Sequence, residues 1–223
     1  MAGPAAPTSI RRDRASLRRV VPVATFTFGY LGVALVLAVV RGNLEFLFYI
    51  VVMLLLIAMV WAVDRSIRVS AGALWCLSLW GLAHMAGGLL VVPAGWPVSA
   101  ESRVLYTLWL IPERVKYDQL VHAFGFGVTT WVCWQGLRSA IRRRGGTAVP
   151  TIGLLTLAAA AGLGFGALNE VVEFVATLLV PETNVGGYAN TGWDLVANTV
   201  GATVAATLIA LFDRGAPNVP QQS

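Results

Sequence analysis

The sequence predicts an all-α, polytopic integral membrane helical bundle with about six transmembrane helices and both termini cytoplasmic. Composition, run length and charge placement each point there. Of 223 residues, 57% are hydrophobic and 12% charged, and mean hydropathy is +0.73. A soluble domain carries about 25% charge. Six apolar runs approach or exceed the roughly 20 residues that cross a bilayer. Lysine and arginine collect at alternate ends of those runs, which is how topology is set.

Residues 1–19, MAGPAAPTSIRRDRASLRR, are small, polar and basic. They read as a disordered cytoplasmic tail. The first run, 20–40, is longer than the roughly 7–15-residue core of a signal peptide and is read as a helix. The others cover about 46–63, 71–92, 118–137, 151–180 and 192–212. The transmembrane domain is therefore 20–212, followed by a cytoplasmic tail, 213–223. Its longest connection, 93–117, contains VLYTLWLI (104–111). That piece is too short to span and is expected to form an interfacial or re-entrant helix.

Orientation follows from the cations. With the amino terminus inside, twelve arginines face the cytoplasm, among them Arg19, Arg65, Arg68, Arg138 and the 142–144 run. Arg41, Arg103, Arg114 and Lys116 face out. Twelve against four is a positive-inside bias. The net charge of +5 is thus spent at helix ends, which argues against nucleic-acid binding. Cys76 and Cys133 fall within apolar runs and read as small buried hydrophobes, not a disulfide pair.

This topology orders the polar residues. His84 lies roughly 12 Å below the outer end of run three. Asp118 opens run four, with His122 about 6 Å deeper. Glu173 and Glu170 lie about 10 and 15 Å below Val180 in run five. Asp194 opens run six, with Asn198 one turn below. All fall in the outer half of the bilayer. Helical spacing pairs them: Asp118 with His122, Asn169 with Glu173, Glu170 with Glu173, and Asp194 with Asn198 are three or four apart and share faces. Gly125 and Gly201 sit near these faces and would let helices approach closely. An acidic residue at a span centre disfavours insertion by about 2.5–3.5 kcal/mol, so intramembrane carboxylates imply a cavity or partners.

At these residues the chain resembles the YjdF-like bacterial inner-membrane proteins, a domain of unknown function. The blocks are LAHMAGG (82–88), YDQLVHAFGFG (117–127), ALNEVVEFV (167–175) and TGWDLVANTVGA (191–202). It is also distantly similar to VanZ-like proteins linked to glycopeptide-antibiotic tolerance, which share the Asp-x-x-x-His, Glu-bearing and Asp-x-x-x-Asn helices. The resemblance spans about 75–210 and implies a bacterial cytoplasmic (inner) membrane location. It carries over His84, Asp118, His122, Glu170, Glu173, Asp194 and Asn198. Asn198 stands where the family often has Asp. LLVVPAGW replaces an aromatic stretch that commonly follows Gly-Gly.

Two imidazoles among carboxylates suit Zn²⁺, Mn²⁺ or Fe²⁺. The expected ligands are His84, His122, Asp118, Glu173 and Asp194, with Glu170 and Glu173 as catalytic carboxylates and Asn169 and Asn198 as further pocket residues. The outer-leaflet depth points to a lipid or lipid-linked substrate. HExxH, P-loop and GxSxG signatures are absent. A proton-linked transporter and a structural or partner-binding membrane protein are the alternatives. Membrane lipid is the expected environment in all three.

Overall fold

The computed structural model describes residues 8–213 of the chain. It is an all-α bundle of six long helices: α1 (Thr8–Val40), α2 (Leu44–Ile67), α3 (Ala71–Leu89), α4 (Tyr117–Arg143), α5 (Ile152–Leu179) and α6 (Tyr188–Phe212). Of the amino-terminal tail, residues 1–7 lie outside the described residues, and Thr8–Arg19 forms the first turns of α1. Arg19 ties this part of α1 to its neighbours. It pairs with Asp64 of α2 at 2.8 Å and donates to the Val69 carbonyl. Residues 214–223 also lie outside the described residues.

Local signals end each helix where the chain turns. Asn43 caps α2 by accepting from the Phe46 amide at 3.0 Å. Ser70 and Thr151 cap α3 and α5 in the same way. Val180 leaves α5 in extended geometry because Pro181 follows it.

Among the described residues, four helices are long and apolar enough to cross a membrane: α1 over Leu17–Val40, α2, α5 and α6. The two others read as spans, α3 and α4, are less apolar, and packing accounts for it in α4. This helix lies against α3, α5 and α6, so its polar residues meet protein where α2 meets lipid. Large apolar side chains such as Val36, Leu55, Phe174 and Val204 are exposed on the outside of the bundle, as lipid-facing residues are.

The 104–111 segment does not form the expected interfacial or re-entrant helix. It makes one 3₁₀ turn, Leu105–Thr107, then strand β1 (Trp109–Ile111), paired antiparallel with β2 (Val115–Lys116). Pro112 interrupts any helix, and Glu113 takes a left-handed conformation (φ 56°) to close the turn. The Val91–Val104 bridge laces this loop to the residues just after α3, and Val98–Leu108 pairs the loop with itself. The β2 strand runs directly into α4 and so fixes where Asp118 begins its helix.

Alternating helices place two polar clamps at the end opposite this loop. One is Arg19–Asp64. In the other, Arg138 grips both Asp213 oxygens at 2.8–2.9 Å, and Trp134 Nε1 donates to the same carboxylate. These bonds tie α1 to α2, and α4 to α6. Closest of all is the α4–α6 contact. A Cβ on Gly201 would strike the Ala123 carbonyl, and one on Gly127 would lie 3.0 Å from the Gly201 oxygen. Two helices meeting backbone to backbone bring the outer turns of both within side-chain reach.

Candidate functional site

That close approach puts His122 of α4 at the centre of the half of the bundle that carries the 93–117 loop, 2% exposed. Nδ1 lies 3.1 Å from Asn198 Oδ1 of α6 and 3.6 Å from Glu170 Oε1 of α5. Nε2 lies 3.7 Å from Asp118 Oδ1, one turn back on α4, and 3.7 Å from Glu173 Oε1. Asp194 and Asn198 are fully buried on α6. The structure therefore gathers Asp118, His122, Glu170, Glu173, Asp194 and Asn198 around one imidazole, with three helices contributing.

Hydrogen bonds orient the carboxylates. Asn169 Nδ2 donates to Glu173 Oε1 at 2.8 Å, the i, i+4 pair on α5. Asn190 Nδ2 donates to both Asp118 Oδ2 and Asp194 Oδ2, bridging α4 and α6. Lys116 Nζ donates to Asn190 Oδ1 and sits 3.8 Å from Asp118 Oδ2. Other polar atoms make no hydrogen bond among the described residues: both Glu170 oxygens, Asp194 Oδ1 and Asn198 Nδ2 are buried without one, although Glu170 Oε1 lies within ion-pair distance of His122. Leaving a buried carboxylate oxygen unpaired costs about 1–3 kcal/mol or more.

The Nδ1 contact decides the chemistry. Asn198 Oδ1 is an acceptor, so Nδ1 donates to it and Nε2 is the nitrogen left to face the carboxylates. Nε2 faces two carboxylate oxygens, as the second N–H of an imidazolium or as a ligand with a cation between them. At 3.7 Å these are not hydrogen bonds, and they exceed the roughly 2.7–2.9 Å of a charge-assisted bond. Two ligand atoms about 2.0–2.2 Å from one tetrahedral ion lie about 3.3–3.6 Å apart. Two overlapping sets have ligand atoms within 4.8 Å of one another: Asp118–His122–Asp194 and His122–Glu170–Glu173.

His84 falls in neither set. Its ring packs against Tyr49, Trp80 and Tyr106 at centroid distances of 5.5–6.2 Å, while the Tyr106 hydroxyl donates to the His84 carbonyl at 2.8 Å. Burial holds the phenol of Tyr106, in the outer loop, protonated well above its ordinary range. His84 thus lines the approach to the carboxylates as part of an aromatic wall.

Sequence reasoning passed over three residues here. Asn190 precedes Asp194 by four, so continuing the α6 face one turn outward would have found it. Lys116 was counted only as a topology charge. Glu45, at the outer end of α2, is 3% exposed. It accepts from the Asn184 amide at 3.0 Å through each oxygen and from Asn184 Nδ2 at 2.8 Å, pinning the α5–α6 loop to α2. In the sequence it falls between the first two apolar runs, where no spacing links it to the other carboxylates.

Searches of curated proteins and of solved structures find no match. A family model described as a predicted membrane protein (DUF2238) matches residues 23–215, nearly the whole described chain, and is the family of the YjdF-like proteins. With several lipid-length apolar helices, the chain is a multi-pass membrane protein, and it belongs to the DUF2238 family of predicted membrane proteins.

Proposed function

We propose that the chain binds a divalent cation (Zn²⁺, Mn²⁺ or Fe²⁺) at His122 and uses it on a lipid or lipid-linked substrate at the outer face of the bacterial inner membrane. One observation carries the reading. Nε2 of His122 faces carboxylates from two helices at a spacing too long for hydrogen bonds and close to that of two ligands on one ion. A cation relieves both the carboxylate crowding and the oxygens of Glu170 and Asp194 that make no hydrogen bond. His122, Asp118, Asp194 and Glu173 supply the ligand set. Asn198 fixes the imidazole tautomer, as hydrogen-bonded partners of metal-bound histidines do. Such an ion supplies a Lewis acid and an activated water. Glu170, buried and 3.6 Å from Nδ1 at the other edge of the imidazole, would be the carboxylate to hold a proton beside the site.

The reading is tested by titrating metal-stripped protein with Zn²⁺ and with Mn²⁺ while following thermal unfolding. Ligand at 100 times Kd stabilises by about 2.7 kcal/mol. The parent and His84→Ala should both shift upward, and His122→Ala should not. No shift in the parent with either ion, or a shift that survives His122→Ala, would sink the site. Lipid-linked phosphates and glycans are the substrates to screen next.

Proton-linked transport is the second reading, since Asp/Glu/His clusters relay protons. Against it, the cluster is confined to the outer half. Between it and the Arg138–Asp213 clamp, the buried polar side chains described are hydroxyls such as Thr130, which bonds its own helix.

A further inference from the structure

We propose that Gly166 is a positioning residue of the His122 site: the missing side chain at that point of α5 is what lets Asn198 hold the imidazole. The inference rests on His122 being the centre of the site, and it names a residue that acts on the imidazole only through Asn198. One contact carries it. A Cβ at Gly166 would lie 2.7 Å from Asn198 Nδ2 and 3.1 Å from its Cγ. Asn198 is fully buried, and its Oδ1 lies 3.1 Å from His122 Nδ1. The side-chain amide is a rigid plane. Pushing Nδ2 off α5 by several tenths of an ångström therefore carries Oδ1 with it and disturbs the contact that orients the ring. Asn198 Nδ2 makes no hydrogen bond among the described residues, so open space at Gly166 accommodates it, not a bond to α5.

Spacing puts this glycine in register with the site. Gly162, Gly166 and Glu170 are four apart and share one face of α5. Gly162 and Gly166 are buried, whereas a Cβ on Gly164 between them would meet nothing within 4 Å. At Gly162 a Cβ would strike the Thr130 hydroxyl of α4, and one turn above Gly166 Glu170 Oε1 stands 3.6 Å from His122 Nδ1. Bare backbone at two successive turns lets α5 lie close to both neighbours, as small residues do in membrane bundles. The two glycines serve different ends. Thr130 bonds the Phe126 carbonyl of its own helix, so Gly162 touches packing alone. Gly166 touches the side chain that meets the imidazole.

The test is NMR of the full chain in detergent, metal-free, with ¹⁵N-labelled histidine. The chain has two histidines, so His84→Ala assigns the His122 signals. In the parent the His122 Nδ1 proton should be shifted downfield and slow to exchange, and in Asn198→Ala it should lose that position. Gly166→Ala should reproduce the Asn198→Ala spectrum, and Gly164→Ala the parent's. Gly162→Ala should lower Tm and leave the Nδ1 proton in place. In the metal titration Gly166→Ala should weaken binding about tenfold or more. In an Asn198→Ala background, where no amide is left to displace, it should change binding less than about twofold. A parent-like spectrum in folded Gly166→Ala, an equal shift from Gly162→Ala, or the same loss of affinity in both backgrounds overturns the assignment. Should Gly166→Ala not fold, Gly166→Ala/Asn198→Ala must fold, because the Asn198 Cβ stands 3.4 Å from the new methyl, an ordinary contact; a pair that also fails overturns it. The spectra need no metal, so the two readings fail separately. A parent that binds no metal removes the cation and leaves the spectral result standing, and metal binding unchanged by Gly166→Ala does the reverse.

Discussion

Replacing Gly201 with alanine should destabilise the protein, although alanine is the better helix former. In an open helix interior this change gains about 0.8–1.0 kcal/mol. At Gly201 the new Cβ would drive into the Ala123 carbonyl, a backbone atom that moves only if α4 moves. Forcing a methyl into a filled contact costs about 1–3 kcal/mol, and a backbone clash belongs at the upper end. The net loss is then about 1–2 kcal/mol, or roughly 2–8 °C in Tm for a chain of this size. Gly127→Ala faces a milder 3.0 Å approach to the Gly201 oxygen and should fall near zero. Gly164→Ala, with nothing within 4 Å of its Cβ, should be neutral or stabilising. The assay is thermal unfolding of the three purified variants in one detergent. Because Gly201 lies three residues below Asn198, prying α4 from α6 also separates His122 from Asn198, so Gly201→Ala should weaken metal binding while Gly164→Ala does not. A Gly201→Ala protein at least as stable as the Gly164→Ala one would refute the close α4–α6 contact and the site geometry resting on it.

Other expectations follow from single contacts. Asn198→Ala should lower metal affinity by about 10–100-fold without changing stoichiometry, and Asn198→Asp should retain affinity, read by competition titration. Asn184→Ala strips every hydrogen bond from the buried Glu45 carboxylate save that of the residue 184 amide. It should cost about 1–3 kcal/mol and speed amide exchange across 180–187, and Glu45→Gln in the same background should recover part of the loss. Arg138→Ala breaks a partly exposed pair with Asp213 and should cost only about 1 kcal/mol, seen as a few degrees of Tm and no change in metal binding. Metal affinity should fall on acidification, because a ligating imidazole and carboxylates must be deprotonated; affinity unchanged between about pH 7.5 and 5.5 would count against His122 as a ligand.

The bundle was legible because hydropathy and cation placement are properties of the chain itself. Run boundaries for α2, α5 and α6 fall within a few residues of the helices, and the i, i+4 pairs around His122, Glu173 and Asp194 share faces as spacing requires. The convergence of α4, α5 and α6 was legible through depth alone, since a common topology puts those residues in one layer. Rotation about each helix was not. Depth places His84 with the cluster, but α3 turns its ring toward Tyr49, Trp80 and Tyr106. Loop geometry was hidden as well. VLYTLWLI has the apolar content of a helix, and only Pro112 and pairing with Val115–Lys116 make part of it a strand. Glu45 and Asn184 are 139 residues apart in sequence, so no local pattern announces their bond.

Elemental mass spectrometry on gently purified parent protein, beside His122→Ala and His84→Ala, tests the central claim most directly. Near-stoichiometric Zn, Mn or Fe in the parent and His84→Ala proteins, lost in His122→Ala, is the predicted result. Folded parent protein that stays metal-free under metal-replete conditions, or metal lost with His84 and kept without His122, would contradict it.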